Sequence, residues 1–453
     1  MALVRAWIVA DRAPSVRRGG AHPARTLVRL PEVVDVGSSV LSQPFPQGRG
    51  PKVLLLTHTF GFPEGYAATL RARLMSRALV EAGAGVRVFC TRYSEIAPDV
   101  LNTQLSGFYE GVEFRYTTGN ILRSSSFLKR RAIDSRGLAS ALSSILRMRR
   151  AGELDVVYLW STASRWNLLS QIYVSFLNSL RIPIVLELNE RPWSQAPQAR
   201  PVEKVLSPLH GATGVIAISD YLEAWANSEA LRLRREVPAL RVPILVDTEE
   251  AYSAPPMASR AKPFVLFACP AGRSQLFRFA AEAMRRVWRD GRECDLVIVG
   301  PSRHDDRNRW LADLPTDTDH GSVVWLGKVS RATLLDLYQQ ARALLLPLND
   351  ELNSEARFPT KLGEYLASGT PVVASSRGEL CRFVEDGDTA YLSTAGNAEG
   401  FGQRVVDVLD DAIAAREVGR RGRELAVREF DYRRYGAILR EWFAAVAEGR
   451  RMP

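Results

Sequence analysis

The chain has 453 residues, 46% of them hydrophobic and 24% charged, with a formal net charge of +10. That length supplies two cores rather than one, and the composition excludes a disordered or collagen-like chain. No apolar run reaches the roughly 18 residues that cross a bilayer, and no signal-peptide core precedes the first strand, so a cytoplasmic protein is expected.

Residues 1–50 mix Arg, Pro, Gly and Ser without a sustained period, as in Arg17-Arg18-Gly19-Gly20, and read as a flexible leader. Order begins at Lys52. Val53 to Thr57 is a continuous apolar run of the kind found in a buried parallel strand, and a loop with Gly61, Pro63 and Gly65 follows it. A helical pattern over 67–82 and a strand over 86–90 complete a βαβ unit. The alternation continues with strands at 155–159, 184–188 and 215–218 and a helix near 166–180. The hydrophobic pattern lapses between Asp247 and Pro263, around Pro255-Pro256. A second αβ series then begins at 264–268, with a helix over 275–289 and strands at 295–299, 323–326, 343–346 and 371–374. Helices are expected at 331–340 and 361–368, and from about 397 to 448. The expected organisation is a leader (1–50), an N-terminal domain (51–254), a C-terminal domain (255–430) and a tail helix (431–453) that packs back on the first domain.

Four cysteines, Cys90, Cys269, Cys294 and Cys381, have neither metal-like nor disulfide-like spacing and read as buried free thiols. The basic excess is uneven: 31 Lys and Arg stand against 22 Asp and Glu through residue 250, and 29 against 28 afterwards. A basic N-terminal half suits an acidic partner, such as an anionic membrane surface or a diphosphate-linked acceptor. Nucleic acid is not expected, because aromatic residues do not interleave the basic ones. Arg71, Arg73, Arg77, Arg123, Lys129, Arg130, Arg131, Arg147, Arg149 and Arg150 are the candidates for one such face.

The segment from Arg357 to Val373, reading RFPTKLGEYLASGTPVV, carries the most chemistry. A loop there opens a helix whose first turn has free N–H groups suited to a phosphate. Thr360 is placed to cap that helix, Lys361 sets a cation beside the same anion, and Glu364 can accept two hydrogen bonds from vicinal hydroxyls such as those of a ribose.

This string resembles the donor-binding segment of family 4 glycosyltransferases, and the resemblance extends over about residues 51–445. Supporting strings are Arg241-Val242-Pro243-Ile244-Leu245-Val246-Asp247, Leu326-Gly327-Lys328-Val329 and Leu345-Leu346-Pro347-Leu348. The resemblance implies an α/β protein of the GT-B fold, two Rossmann-like domains with parallel sheets facing across a cleft. It implies a retaining glycosyltransferase that uses a nucleotide-diphosphate sugar, with no cofactor. No Asp-x-Asp string lies in a suitable loop, and no metal is expected.

By the resemblance, Glu364 binds the ribose, Thr360 and Lys361 meet the diphosphate or sugar, and Gly65 lies in the glycine-bearing loop near donor and acceptor. Arg273 faces the leaving diphosphate in preference to Arg278, and Ser219-Asp220 buttresses the cleft. Glu190, at the carboxyl end of a parallel strand, is the candidate for orienting the acceptor hydroxyl or the sugar. The family usually has two glutamates eight residues apart, the first of which contacts the transferred sugar in many members; this chain has Ala356 at that place, with Glu355 beside it as the candidate substitute after a local shift of the loop. The acceptor is expected to be a sugar or lipid-linked, in cell-surface polysaccharide or glycolipid assembly, with the protein peripheral at the inner face of the membrane. A sugar-nucleotide epimerase and a non-catalytic nucleotide-sugar-binding protein are the alternatives.

Overall fold

The computed structural model describes residues 50–97, 100–160, 168–190, 207, 209–252, 262–269, 274–300 and 317–450. The leader, Arg273 and the expected boundary near 254 lie outside them.

Eight strands form the first sheet: β1 (Lys52–Thr57), β2 (Gly85–Cys90), β3 (Ser106–Tyr109), β4 (Val112–Tyr116), β5 (Val156–Trp160), β6 (Ile184–Leu188), β7 (Gly214–Ala217) and β8 (Ala239–Arg241). Seven form the second: β9 (Phe264–Ala268), β10 (Asp295–Val299), β11 (Asp317–Thr318), β12 (Gly321–Gly327), β13 (Ala343–Leu346), β14 (Val372–Ser376) and β15 (Tyr391–Thr394). Their orders are β3-β4-β2-β1-β5-β6-β7-β8 and β11-β12-β10-β9-β13-β14-β15. All neighbours are parallel except the edge pairs β3–β4 and β11–β12. Each sheet thus contains the doubly wound order, reversing direction between β1 and β5 and again between β9 and β13.

Side chains alternate across a strand, and here both faces are covered. Val53 and Leu55 pack under the helix Ala67–Glu81 and the final helix Gly436–Glu448, whereas Leu54 and Leu56 join Ile145 and Met148 of the helix Phe127–Arg150 on the other face. The same second cluster runs through Ile244 and Val246 into Phe264, Leu362 and Tyr365, so one apolar core spans both sheets. The final helix lies on the first domain. Phe443 meets Tyr158 edge-on at 5.4 Å, and Gly214 leaves room for Trp442, whose ring carbon would stand 2.8 Å from any added Cβ.

The chain crosses between sheets after Val246 and returns at Asp431. The two crossings are hydrogen-bonded to each other, Val246 N–H to Phe430 O and Tyr432 N–H to Val246 O. Arg433 then reaches Asp247, Glu249 and Asp431 at 2.9–3.2 Å, and Arg77 reaches Asp247 at 2.9 Å.

The expected basic face is not a single face. Arg71 is 3% exposed and pairs with Glu187 at 2.6 Å, while its other nitrogens donate to the Val242 and Pro243 carbonyls. The Tyr158 hydroxyl donates to the second Glu187 oxygen. Arg73 is also buried, pairing with Glu110 at 3.3 Å and lying over the Tyr109 ring at 5.0 Å. Arg77 sits on the helix Ala67–Glu81 and is paired with Glu81 and Asp247, and the other basic residues divide between the two ends of the 24-residue helix Phe127–Arg150, about 35 Å apart at 1.5 Å per residue. Of the thiols, Cys90, Cys269 and Cys294 are buried, but Cys381 is exposed on a short 3-10 turn after β14.

Candidate functional site

The carboxyl ends of both sheets face each other. Glu190 stands two residues past β6, and its carboxylate meets Arg357 of the second domain at 3.0 Å. Ser219 follows β7 and caps the helix Asp220–Arg232, and its hydroxyl donates to the Ala356 carbonyl at 2.6 Å. The Asp220 amide donates to Glu379 at 3.0 Å, and the Asp220 carboxylate pairs with Arg241 and with Arg382 of the opposite domain. Open α/β sheets bind ligands at this side. A cavity of about 520 Å³ lined by Pro51, Asp155, Pro183 and Arg440 opens instead at the amino ends of β1, β5 and β6, away from these residues.

Within the second domain, Glu364 lies on the seven-residue helix Lys361–Ala367 and is only 2% exposed. Arg331 reaches one of its oxygens at 2.5 Å; Lys361 reaches the other at 2.7 Å, with the Tyr338 hydroxyl at 3.4 Å. Arg331 is held in turn by both oxygens of Glu250, each at 2.9 Å, and Glu250 sits on the short helix Thr248–Tyr252 just past the first crossing. Burial alone would raise the Glu364 pKa, but the charges of Lys361 and Arg331 outweigh it and hold the carboxyl down at about 2. Burial lowers and the two glutamates raise the Arg331 pKa; the glutamates prevail, so the guanidinium stays charged.

This arrangement alters two expectations. Thr360 makes no side-chain capping bond, because its own backbone is already helical (φ −58°, ψ −27°), and the first-turn N–H of Leu362 is taken by the Pro359 carbonyl. A helix of two turns with one amide already satisfied is a weak anion site, so the cation on Lys361 carries most of the attraction for a phosphate. Glu364 has about four lone-pair positions, of which three are used, so it can grip two ribose hydroxyls only if Lys361 or Tyr338 lets go. An ammonium has three donors, and Lys361 spends them here on Glu364 and on Tyr338 at 3.0 Å, with one to spare.

The other expected residues are dispersed. Gly65 lies on the exposed loop after β1, where an added Cβ would stand 2.1 Å from Thr69 Oγ1. His58 is buried, with Nε2 3.4 Å from Ser170 Oγ. Glu355 does not take the place of a glutamate at 356: it pairs with Arg377 at 2.6 Å, while Ala356 is fully buried. Arg278 is exposed on the helix Ser274–Arg289. Among the described residues, no group of three or more His, Cys, Asp or Glu side chains is placed to hold a metal ion. The sequence reading missed Arg331, Glu250 and Arg357.

With two doubly wound sheets facing across their carboxyl ends, the architecture is the GT-B fold. Residues 262–411 match the family model described as glycosyl transferases group 1. Similar curated proteins include a glycogen synthase from Mycobacterium tuberculosis, 28% identical over 38% of this chain and 40% of that protein. A phosphatidyl-myo-inositol mannosyltransferase from Mycolicibacterium smegmatis is 28% identical over 46% of this chain and 51% of its own length. The chain therefore spans about half or less of these relatives. Among solved structures, sucrose-phosphate synthase from Thermosynechococcus elongatus superposes with a TM-score of 0.62 at 17% identity, covering 88% of this chain and 100% of that one. Anabaena HepE in complex with UDP-glucose gives 0.57 at 14% identity, with 88% and 99% covered.

The Glu364 cage implies a pH dependence. A carboxyl whose pKa falls from an unfolded value near 4.5 to about 2 adds stability that is complete above that unfolded value and is lost as pH falls toward 2. Urea midpoints of wild type and Glu364→Gln should differ most at pH 7 and converge between pH 5 and 2. A gap that is constant across this range contradicts the ionised cage.

Proposed function

We propose that the protein is a retaining glycosyltransferase that moves a hexose from a nucleotide-diphosphate sugar to a hydroxyl acceptor, with the donor held at Glu364 and Lys361. The observation that carries the reading is the Glu364–Lys361 pair, a buried ionised carboxylate whose ammonium partner has a donor to spare, beside a cleft of the GT-B type. As donor enters, Lys361 turns from Glu364 to the diphosphate, which frees a carboxylate oxygen for the second ribose hydroxyl. One movement thus completes both contacts. The freed ammonium stabilises charge that grows on the leaving diphosphate, joined by Arg273, which follows β9 in the sequence. Glu190, across the cleft, orients the sugar or the acceptor hydroxyl, and Gly65 lets the loop after β1 approach them. HepE was solved with UDP-glucose, which supports a uridine nucleotide as the first donor to test.

Incubation with UDP-, GDP- and ADP-hexoses and mixed sugar or lipid-linked acceptors should release one nucleoside diphosphate, unaffected by chelator, with the anomeric configuration kept. Lys361→Met should lower that rate by about 10²–10³-fold, the usual effect of removing one preorganised donor to developing charge. No release from any donor contradicts the reading; an isomerised nucleotide sugar formed without acceptor makes the protein an epimerase, and binding without turnover makes it a sensor.

A membrane-bound acceptor, in polysaccharide or glycolipid assembly, is proposed on a narrower patch than the sequence suggested. At one end of the helix Phe127–Arg150, Leu128 is 78% exposed and Phe127 partly so, beside Arg123, Lys129, Arg130 and Arg131. No described helix is long and apolar enough to cross a membrane, so contact at this tip would be interfacial. Wild type should co-sediment with phosphatidylglycerol-containing vesicles at low salt and Leu128→Asp should not. Equal recovery of the two contradicts docking at this tip.

A further inference from the structure

The loop that leads into the helix Lys361–Ala367 is fixed at several points. Glu355 is tied to Arg377, the Ala356 carbonyl accepts the Ser219 hydroxyl, and Phe358 is buried in an aromatic cluster, 5.2 Å from Phe383 and 5.6 Å from Phe430. Between the buried Ala356 and Phe358 only Arg357 turns toward the cleft, where it meets Glu190. Glu190 stands two residues beyond a strand paired with β5 and β7. The pair therefore joins a fixed loop of one domain to the carboxyl end of a central strand of the other.

We infer that Arg357 is a positioning residue that holds Glu190 as the sugar-facing carboxylate of the donor site, a group that the donor segment does not itself provide. The inference rests on the donor reading above and adds to it the group that recognises the transferred sugar. Glu355 is drawn to Arg377 and position 356 has no polar side chain, and the carboxylate that meets Arg357 of the donor loop comes from the facing domain. Both partners are about a quarter exposed, and pairs of this kind add little to stability, which leaves geometry as the purpose of the contact. Arg357 also keeps a reserve. Among the described residues its Nε has no hydrogen-bond partner, a donor that a sugar hydroxyl can satisfy once the cleft is occupied. Because the two charges belong to different domains, the carboxylate is in place only when the domains meet. Sugar recognition and cleft closure are then one event.

The test separates the sugar from the nucleotide. Calorimetric affinities for UDP and for UDP-glucose, UDP-galactose and UDP-N-acetylglucosamine are measured on wild type, Arg357→Ala, Glu190→Ala, the double variant and Arg357→Lys. Wild type should bind one of the UDP-sugars about tenfold more tightly than UDP, an increment of about 1.4 kcal/mol. Arg357→Ala and Glu190→Ala should each abolish that increment, the double variant should lose no more than either, and Arg357→Lys should recover part of it. UDP affinity itself should change less than about twofold throughout, since the nucleotide contacts are elsewhere. Retention of the increment in Arg357→Ala, additive losses in the double variant, loss of UDP affinity along with the sugar increment, or no increment for any sugar in wild type overturns the inference and leaves the donor site standing. Silence of wild type toward UDP is followed by the same series with GDP and GDP-mannose and with ADP and ADP-glucose; silence toward all three nucleotides removes the donor reading and this inference with it.

Discussion

A carboxylate removed from water must be given cations or it will not stay ionised, and Glu364 is the point where this chain meets that requirement. Its partners come from two stretches: Lys361 one turn earlier on its own helix, and Arg331 and Tyr338 from the start and the last turn of the helix Arg331–Gln340. Arg331 needs its own counter-charge, supplied by Glu250. Removing one member of such a set leaves a buried charge unpaired, typically a loss of about 3–5 kcal/mol, so the cage fixes the spacing of the segments that contribute to it.

Glu250 lies just past the place where the chain crosses between the sheets. The crossing is itself bound to the returning chain at Asp431 and ringed by Arg77 and Arg433. The donor-side cage and the joint between the domains are therefore consecutive links, Asp247 to Glu250 to Arg331 to Glu364. The opposite side of the cleft is held by other charges, Glu190 with Arg357 and Asp220 with Arg382. Ionic contacts of moderate exposure suit surfaces that separate and meet again, because their loss costs little compared with the loss of apolar burial.

The central strands were legible because a parallel strand covered on both faces must be apolar throughout, and β6, β9, β10 and β13 fall where the runs Ile184–Leu188, Phe264–Ala268, Asp295–Val299 and Ala343–Leu346 placed them. The edge pair β3–β4 was not, since Ser106–Tyr109 faces solvent and has no such run. The helix Phe127–Arg150 has buried positions held by Asp134, Gly137 and Ser144, residue types that conceal its apolar stripe. At the site, Lys361 and Glu364 were readable from one short string. Arg331 and Glu250 were not, as nothing in a one-dimensional pattern joins positions 81 residues apart. Arg71 looked like surface charge because arginine on a helix usually is. The signal against it was Glu187, a carboxylate in the middle of an otherwise apolar central strand, which physical chemistry obliges to find a cation.

The most direct test of the account is calorimetric titration of the full chain with UDP, GDP and ADP, repeated on Glu364→Gln, which keeps the shape of the cage and removes its charge. The account predicts that one nucleotide binds wild type and that the variant, still folded by circular dichroism, loses at least tenfold in affinity for it. Equal affinity in the two proteins, or no binding of any nucleotide to a folded wild type, would contradict a donor site at Glu364.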